Sequence, residues 1–298
     1  MGSGTWTSAS YACYNTSLGR DYDYETGRVS GASVDQIFTA VTLDESLNPK
    51  KFKVRECVNS DEHPNTIPVI LALDVTGSMG SACKETADAL GVIMTDLYQK
   101  FKDIEFCVMG IGDLAYDRAP IQMSQFESDI RIAEALDKIY MEHGGGGNAY
   151  ESYTAAWYMA LKRTKLDCID KQGRKGIVIT MGDEPLNPYL PVSKLNEAVN
   201  GKEQGNVETP ELYKEVSKHF DVYHIAVNDP HDSYSYYEEQ IKKSFGELLG
   251  DRFKVSTVNN LSQTIVECIS DSVNGTTLLV DSEMPKANVV NEQGEITW

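Results

Sequence analysis

The pattern of apolar and polar positions changes near residue 66. Before it, residues 1–65 are polar, tyrosine-rich and punctuated by glycine, with no sustained helical period. Within that stretch, 33–41 (SVDQIFTAV) has the spacing of a short amphipathic helix and 50–58 (KKFKVRECV) alternates as an edge strand does. From residue 66, continuous apolar runs alternate with helical stripes. The run TIPVILALD, ending at Asp74, predicts a parallel strand covered on both faces, because such a strand has no solvent side to mark with polar residues. Leu90, Ile93, Met94, Leu97 and Phe101 then fall on one helical stripe. Further strands are predicted at 104–112, 119–126 (an edge strand), 175–182, 221–227 and 252–257. Helices are predicted at 129–139 with Asp129 as cap, 150–164, 209–220, 234–249 and 260–273. Thr209 and Pro210 read as N-cap and first helical residue of the 209–220 helix.

Six strands alternating with helices predict an α/β fold: a doubly wound, Rossmann-like, mostly parallel six-stranded sheet flanked by helices. Residues 1–65 form an N-terminal extension packing on the main domain, 66–273 the domain itself, and 274–298 a C-terminal tail with one strand at most.

Charge narrows the function. The 298 residues carry 45 acids against 27 bases, a formal net charge of −18, which repels phosphate backbones and anionic lipid. Neither nucleic acid nor membrane is an expected partner. The six cysteines, at 13, 57, 83, 107, 168 and 268, are scattered with no CxxC pair, as in a reducing compartment. With no apolar leader and no run long enough to span a bilayer, the expectation is a cytoplasmic protein.

The chemistry gathers where strands end. Ligands of open parallel sheets bind outside the carboxyl ends of the strands. Three segments put unusual polar residues there: DVTGSMG after the first strand, HGGGGNAYES at 143–152, and TMGDEPLNP at 180–188. Asp74, Thr76 and Ser78 alternate, so in an extended turn they point the same way, with Gly77 and Gly80 permitting a tight backbone. One carboxylate and two hydroxyls make an all-oxygen donor set, suited to Mg²⁺, Mn²⁺ or Ca²⁺. Asp183 adds a second carboxylate from another strand end.

LALDVTGSMG resembles the metal-ion-dependent adhesion site of von Willebrand factor type A domains, whose first motif is Asp-x-Ser/Thr-x-Ser. The resemblance extends over roughly 66–273 and to the family's intracellular bacterial or phage-type branch. It implies a six-stranded Rossmann-like fold and a divalent cation held by Asp74, Thr76, Ser78 and Asp183. Its second loop corresponds to GGGGNAYES, where Asn148 stands at a position expected to hold Asp or Thr. An amide oxygen there coordinates or holds a water with less charge. Asp113 and Asp117, after the second strand, are candidates for an outer role or a second cation. The implied function is a binding module with an assembly or scaffold role: the cation's open position takes an Asp or Glu carboxylate of a partner protein.

Competing readings stand beside this one. Thr76 or Ser78 could simply cap the following helix. A Mg²⁺-dependent phosphatase of the haloacid-dehalogenase type also begins with an Asp at the end of strand one, but needs a second acid where Thr76 stands. A structural domain with a vestigial site is the third reading. His224 is expected as a hydrogen-bonded core residue, NDPHD (228–232) as a solvated turn, and Tyr234, Tyr236 and Tyr237 as helix packing.

Overall fold

The computed structural model describes residues 4–142, 150–229 and 233–275. The central sheet has six strands: β1 (Ile67–Asp74), β2 (Ile104–Ile111), β3 (Ile121–Met123), β4 (Gly176–Gly182), β5 (Phe220–Val227) and β6 (Phe253–Ser256). Their order across the sheet is β6-β5-β4-β1-β2-β3. Neighbours pair in parallel, except that β3 runs antiparallel to β2 at one edge. Because β1 and β4 are adjacent, the residues following them open onto the same edge of the sheet.

Helices cover both faces, which is why the inner strands read as unbroken apolar runs. The described helices used below are α1 (Ser8–Ser17), α2 (Gly80–Asp88), α3 (Leu90–Lys100), α4 (Arg131–Asp137), α5 (Thr154–Arg163), α6 (Val192–Val199), α7 (Thr209–His219), α8 (Tyr234–Leu249) and α9 (Leu261–Asn274). Successive strand residues point to opposite faces. Leu71 and Leu73 of β1, with Ile179 of β4, join Ile93 and Leu97 of α3 and Ile269 of α9. Ile70 and Ala72, with Val178 of β4, join Trp157 of α5, Val216 of α7 and Phe245 of α8. Truncating a fully buried member such as Ile93 to Ala should cost about 2–5 kcal/mol.

The stripe Leu90, Ile93, Met94 and Leu97 is buried as its spacing predicts, while Phe101 is the C-cap residue beyond α3. Ahead of it the chain breaks at Ala89 (φ −93°, ψ 1°), separating α2 from α3. The Tyr11 hydroxyl donates to the Ala87 carbonyl at 2.8 Å, occupying an acceptor near this break. α7 begins at Thr209, the predicted cap itself, so Glu208 is the N-cap and Pro210 still lies in the first turn.

The extension differs most from its sequence pattern. It contains α1, which the polar composition does not advertise: Thr7 caps it by accepting from Ser10 N–H at 3.1 Å, and Tyr11, Ala12 and Asn15 are its buried side. The 33–41 segment is helical only over Val34–Ile37. Of 50–58, only Arg55–Cys57 forms a strand, and it pairs with Thr164–Leu166 rather than with the central sheet. Trp6, Tyr11, Val29, Ile37, Phe38 and Leu47 belong to the same apolar cluster as β1 and α3. The last helix ends at Asn274, and the strand expected in the tail lies outside the described residues.

Candidate metal centre

β1 delivers Asp74 to the sheet edge, fully buried. Its Oδ1 accepts from the Thr76 backbone N–H at 3.0 Å and from the Thr76 hydroxyl at 2.6 Å. An aspartate that bonds its own chain two residues on turns the backbone without help from glycine. Thr76 (φ −76°, ψ 167°) then leads into a 3₁₀ turn, Gly77–Met79, and α2 follows. Neither Thr76 nor Ser78 caps these helices through its side chain, so the capping reading of the motif is not realised. The loop is tied down on its other side: Val75 N–H donates to Ile111 O and Glu142 N–H to Val75 O, each at 2.9 Å.

Asp183 follows β4 and is also fully buried. Its Oδ2 accepts the Ser233 N–H at 2.7 Å, while Oδ1 has no hydrogen-bond partner among the described residues. The Ser78 hydroxyl lies against this carboxylate and holds its pKa down, against the larger effect of burial, which raises it. Burial first, then the charge of Asp183, raises the pKa of Asp74. Four of the five predicted donors are therefore brought together: Asp74, Thr76, Ser78 and Asp183. Asn148 and the glycine run 144–147 lie outside the described residues.

The chain emerging from that glycine loop does reach the site. Tyr153 is buried at the start of α5, and its hydroxyl donates to Asp74 Oδ2 at 2.8 Å. The Tyr153 hydroxyl oxygen in turn accepts the Glu184 N–H at 3.3 Å, so one phenol spans the ends of β1 and β4. The ring crosses β4 where Gly182 has no side chain; a Cβ there would overlap both ring and hydroxyl. Beneath it sits His224, fully buried, with Nδ1 2.9 Å from the Thr180 hydroxyl and its ring stacked 3.6 Å from Phe245. Burial pushes the His224 pKa well down, so the ring is neutral. It is the core histidine that its place in a strand predicts.

More acids surround the pair. Glu151 is 4% exposed and pairs by a bridge with Leu186, beside Asp183 and Glu184. Its pKa is raised by burial first, then by Asp74, Glu184, Asp117 and Asp113. Glu184 is pushed up to about 7 by burial, then by Asp183, Asp113 and Asp117. Asp113 and Asp117 brace the loop after β2: Asp117 Oδ2 accepts the Asp113 N–H at 2.7 Å, and Asp113 Oδ1 accepts the Ala115 N–H at 2.8 Å. No lysine or arginine figures among the main electrostatic influences on Asp74, Glu151, Asp183 or Glu184.

Among the described residues, no three histidine, cysteine or carboxylate side chains converge as a metal site. The donor set is thus two carboxylates and two hydroxyls, hard oxygens that fit a small divalent cation with positions left for water. Among the described residues Asp183 Oδ1 has no hydrogen-bond partner, and a buried carboxylate oxygen left so is costly unless a proton or a ligand meets it. The pattern DxTxS led to Asp74; nothing local in the sequence marked Tyr153 or Glu151, whose roles depend on how α5 approaches β4.

The neighbouring segments qualify the other expectations. Tyr234 is core, whereas Tyr236 is 79% exposed, so only part of the tyrosine group serves packing. Of NDPHD, residues 230–232 lie outside the described residues, and Asp229 Oδ2 accepts from Ser81 at 3.3 Å. All six cysteines are free thiols, five of them buried. Among the described residues, no helix is long and apolar enough to cross a membrane.

No protein-family model matches the chain, and no curated protein matches it in sequence. Among solved structures, it is similar to the pilus adhesin SpaC of Lactobacillus rhamnosus GG in its open conformation. There 12% of residues are identical over 75% of this chain and 31% of that one, with a TM-score of 0.48. It is also similar to the vWF domain of the type V pili tip protein Mfa5 from Porphyromonas gingivalis, at 10% identity over 74% and 98% of the two chains and a TM-score of 0.44. The chain therefore spans less than a third of the adhesin's length.

Proposed function

We propose that the chain is a protein-binding module of the von Willebrand factor A type, which captures a partner's Asp or Glu through a divalent cation, Mg²⁺ foremost. Asp74, Thr76, Ser78 and Asp183 would hold the cation, with Asn148 completing the set from the glycine loop. The observation that carries this reading is the buried Asp183 Oδ1, unpartnered among the described residues and beside a second acid and two hydroxyls. A divalent ion bound there offsets both carboxylates and keeps an open position, which a partner carboxylate can fill. Helices on both faces fit the doubly wound arrangement of that family. The scattered free thiols fit a reducing, cytoplasmic setting and the family's intracellular bacterial or phage-type branch.

A phosphatase mechanism asks something different of Asp74. A nucleophilic carboxylate works with a second acid two residues later, and Thr76 carries no acidic group there. Thr76, where that chemistry needs its general acid, spends its hydroxyl on Asp74. The test is calorimetric titration of metal-stripped protein with Mg²⁺, Mn²⁺ and Ca²⁺. Saturable binding that Asp183→Asn weakens is expected; no binding of any of the three ions would refute the reading.

A further inference from the structure

The cation accounts for only part of the charge at this edge. Asp74 and Asp183 together offset a divalent ion, yet Asp113, Asp117, Glu151 and Glu184 stand close enough to influence one another electrostatically. Two of these are almost wholly buried, at 4% exposure each, and carry an oxygen without a hydrogen-bond partner among the described residues: Asp113 Oδ2 and Glu151 Oε2. Arg118, exposed on the same loop as Asp113, is one base set against four acids. An incoming carboxylate therefore meets the cation inside a field of its own sign. At physiological salt that field reaches about 8 Å, roughly the span of the residues flanking the captured one.

Around the same edge stand exposed aromatic rings from three separate segments. Tyr116 is 59% exposed, Tyr150 41% and Tyr236 79%. Tyr116 lies one turn from Asp113, to whose carbonyl its N–H donates at 3.2 Å. Tyr150 directly precedes Glu151. Tyr236 stands edge-on to Tyr237, 4.6 Å between centroids, and is three residues from Ser233, whose N–H holds Asp183. Tyrosine supplies contact area at low entropic cost, and its face attracts lysine and arginine.

We propose that this edge receives a polypeptide segment whose metal-directed carboxylate is flanked by lysine or arginine, the bases lying against the half-buried Asp117 and Glu184 and the exposed tyrosines. The proposal rests on the cation-dependent capture inferred above and adds the charge of the partner. The same field disfavours phosphate-bearing partners.

The test uses three labelled peptides with one central Asp, flanked by Lys, by Ser or by Glu, titrated against the full chain with Mg²⁺. The Lys-flanked peptide should bind best, by about tenfold over the Glu-flanked one, as expected for two or three partly exposed charge pairs. The preference should shrink at high NaCl and narrow in Glu184→Gln. Tyr236→Ala should lower affinity several-fold, and Tyr236→Phe should restore it. Equal affinity for the three peptides, a preference for the Glu-flanked one, or no binding by any of them would overturn the proposal. Binding of the Lys-flanked peptide that persists in EDTA would sustain the acidic contacts and overturn the cation reading instead. Calorimetric Mg²⁺ binding on the same preparation shows separately whether the metal site is loaded.

Discussion

Asp183→Asn separates what the site costs from what it does. The substitution keeps the shape and leaves an amide oxygen to accept the Ser233 N–H, but it removes one of two neighbouring buried carboxylates. In the metal-free protein, such a carboxylate either holds a proton or stays ionised without a counter-charge, and both cost free energy. The neutral variant should therefore be more stable in EDTA by about 1–2 kcal/mol. For a chain of this size that is a rise in Tm of about 2–4 °C. The cation should behave in the opposite sense. At a hundred times its Kd, a ligand of the native state adds about 2.7 kcal/mol, or about 5 °C here. The wild type should gain that increment with Mg²⁺ and the variant little of it, so the two melting curves exchange order between EDTA and saturating Mg²⁺. Scanning calorimetry in both buffers reads the four values directly. A variant that is less stable in EDTA and keeps the whole Mg²⁺ increment would show that Asp183 serves packing and holds no cation. Asp74→Ala is a poorer probe: it strands three donors, from Thr76 and Tyr153, and should itself cost about 1–3 kcal/mol.

Tyr153→Phe keeps the ring but releases Asp74 Oδ2 and the Glu184 N–H; thermal denaturation should show a loss of about 1–3 kcal/mol, and an unchanged Tm would mean the bridge is not formed. Gly182→Ala should be worse, about 3 kcal/mol or more by denaturant titration, because the added methyl overlaps the Tyr153 ring; a silent Gly182→Ala would contradict the packing. Stability in EDTA should fall as pH rises from about 4, the ordinary carboxylate value, towards 7. The sign follows from the raised pKa values of Asp117 (about 6), Glu184 (about 7) and Glu105 (about 7): the native state binds protons that the unfolded state has already released. Saturating Mg²⁺ should flatten this fall at the strand ends, while Glu105, at the opposite end of β2, keeps its share; a Tm that climbs over that range in EDTA would refute the assignment.

The strands and the first loop were legible because their causes are local. A run such as IPVILALD needs only to be apolar on both sides to declare a covered strand, and Asp74 and Thr76 make their turn with each other. Asp183 was legible through the same rule, a buried strand ending in an acid. Tyr153 was not, since its hydroxyl matters only because α5 crosses a glycine of β4, and that approach is set by tertiary packing. The break at Ala89 escaped for a similar reason: the stripe Leu90 to Leu97 is continuous, and the chain relaxes where Tyr11, far upstream, offers a hydroxyl to a carbonyl. α1 is polar enough to read as loop, and its order comes from what it lies against.

That lodging of the extension has a consequence for synthesis. Tyr14 donates to Asp137 Oδ2 at 2.8 Å, Arg20 pairs with the same carboxylate at 2.9 Å, and the Gly4 carbonyl accepts from Ser128 at 2.7 Å. The anchors of the first segment thus lie 117 to 124 residues downstream. At about 5–20 residues per second, the ribosome takes roughly 6–25 s to deliver them. Tyr11 finds its Ala87 and Gly91 contacts earlier, but these bonds of Gly4, Tyr14 and Arg20 wait for the whole of that interval. Residues 4–20 are thus fully anchored only once the stretch around 128–137 has been made.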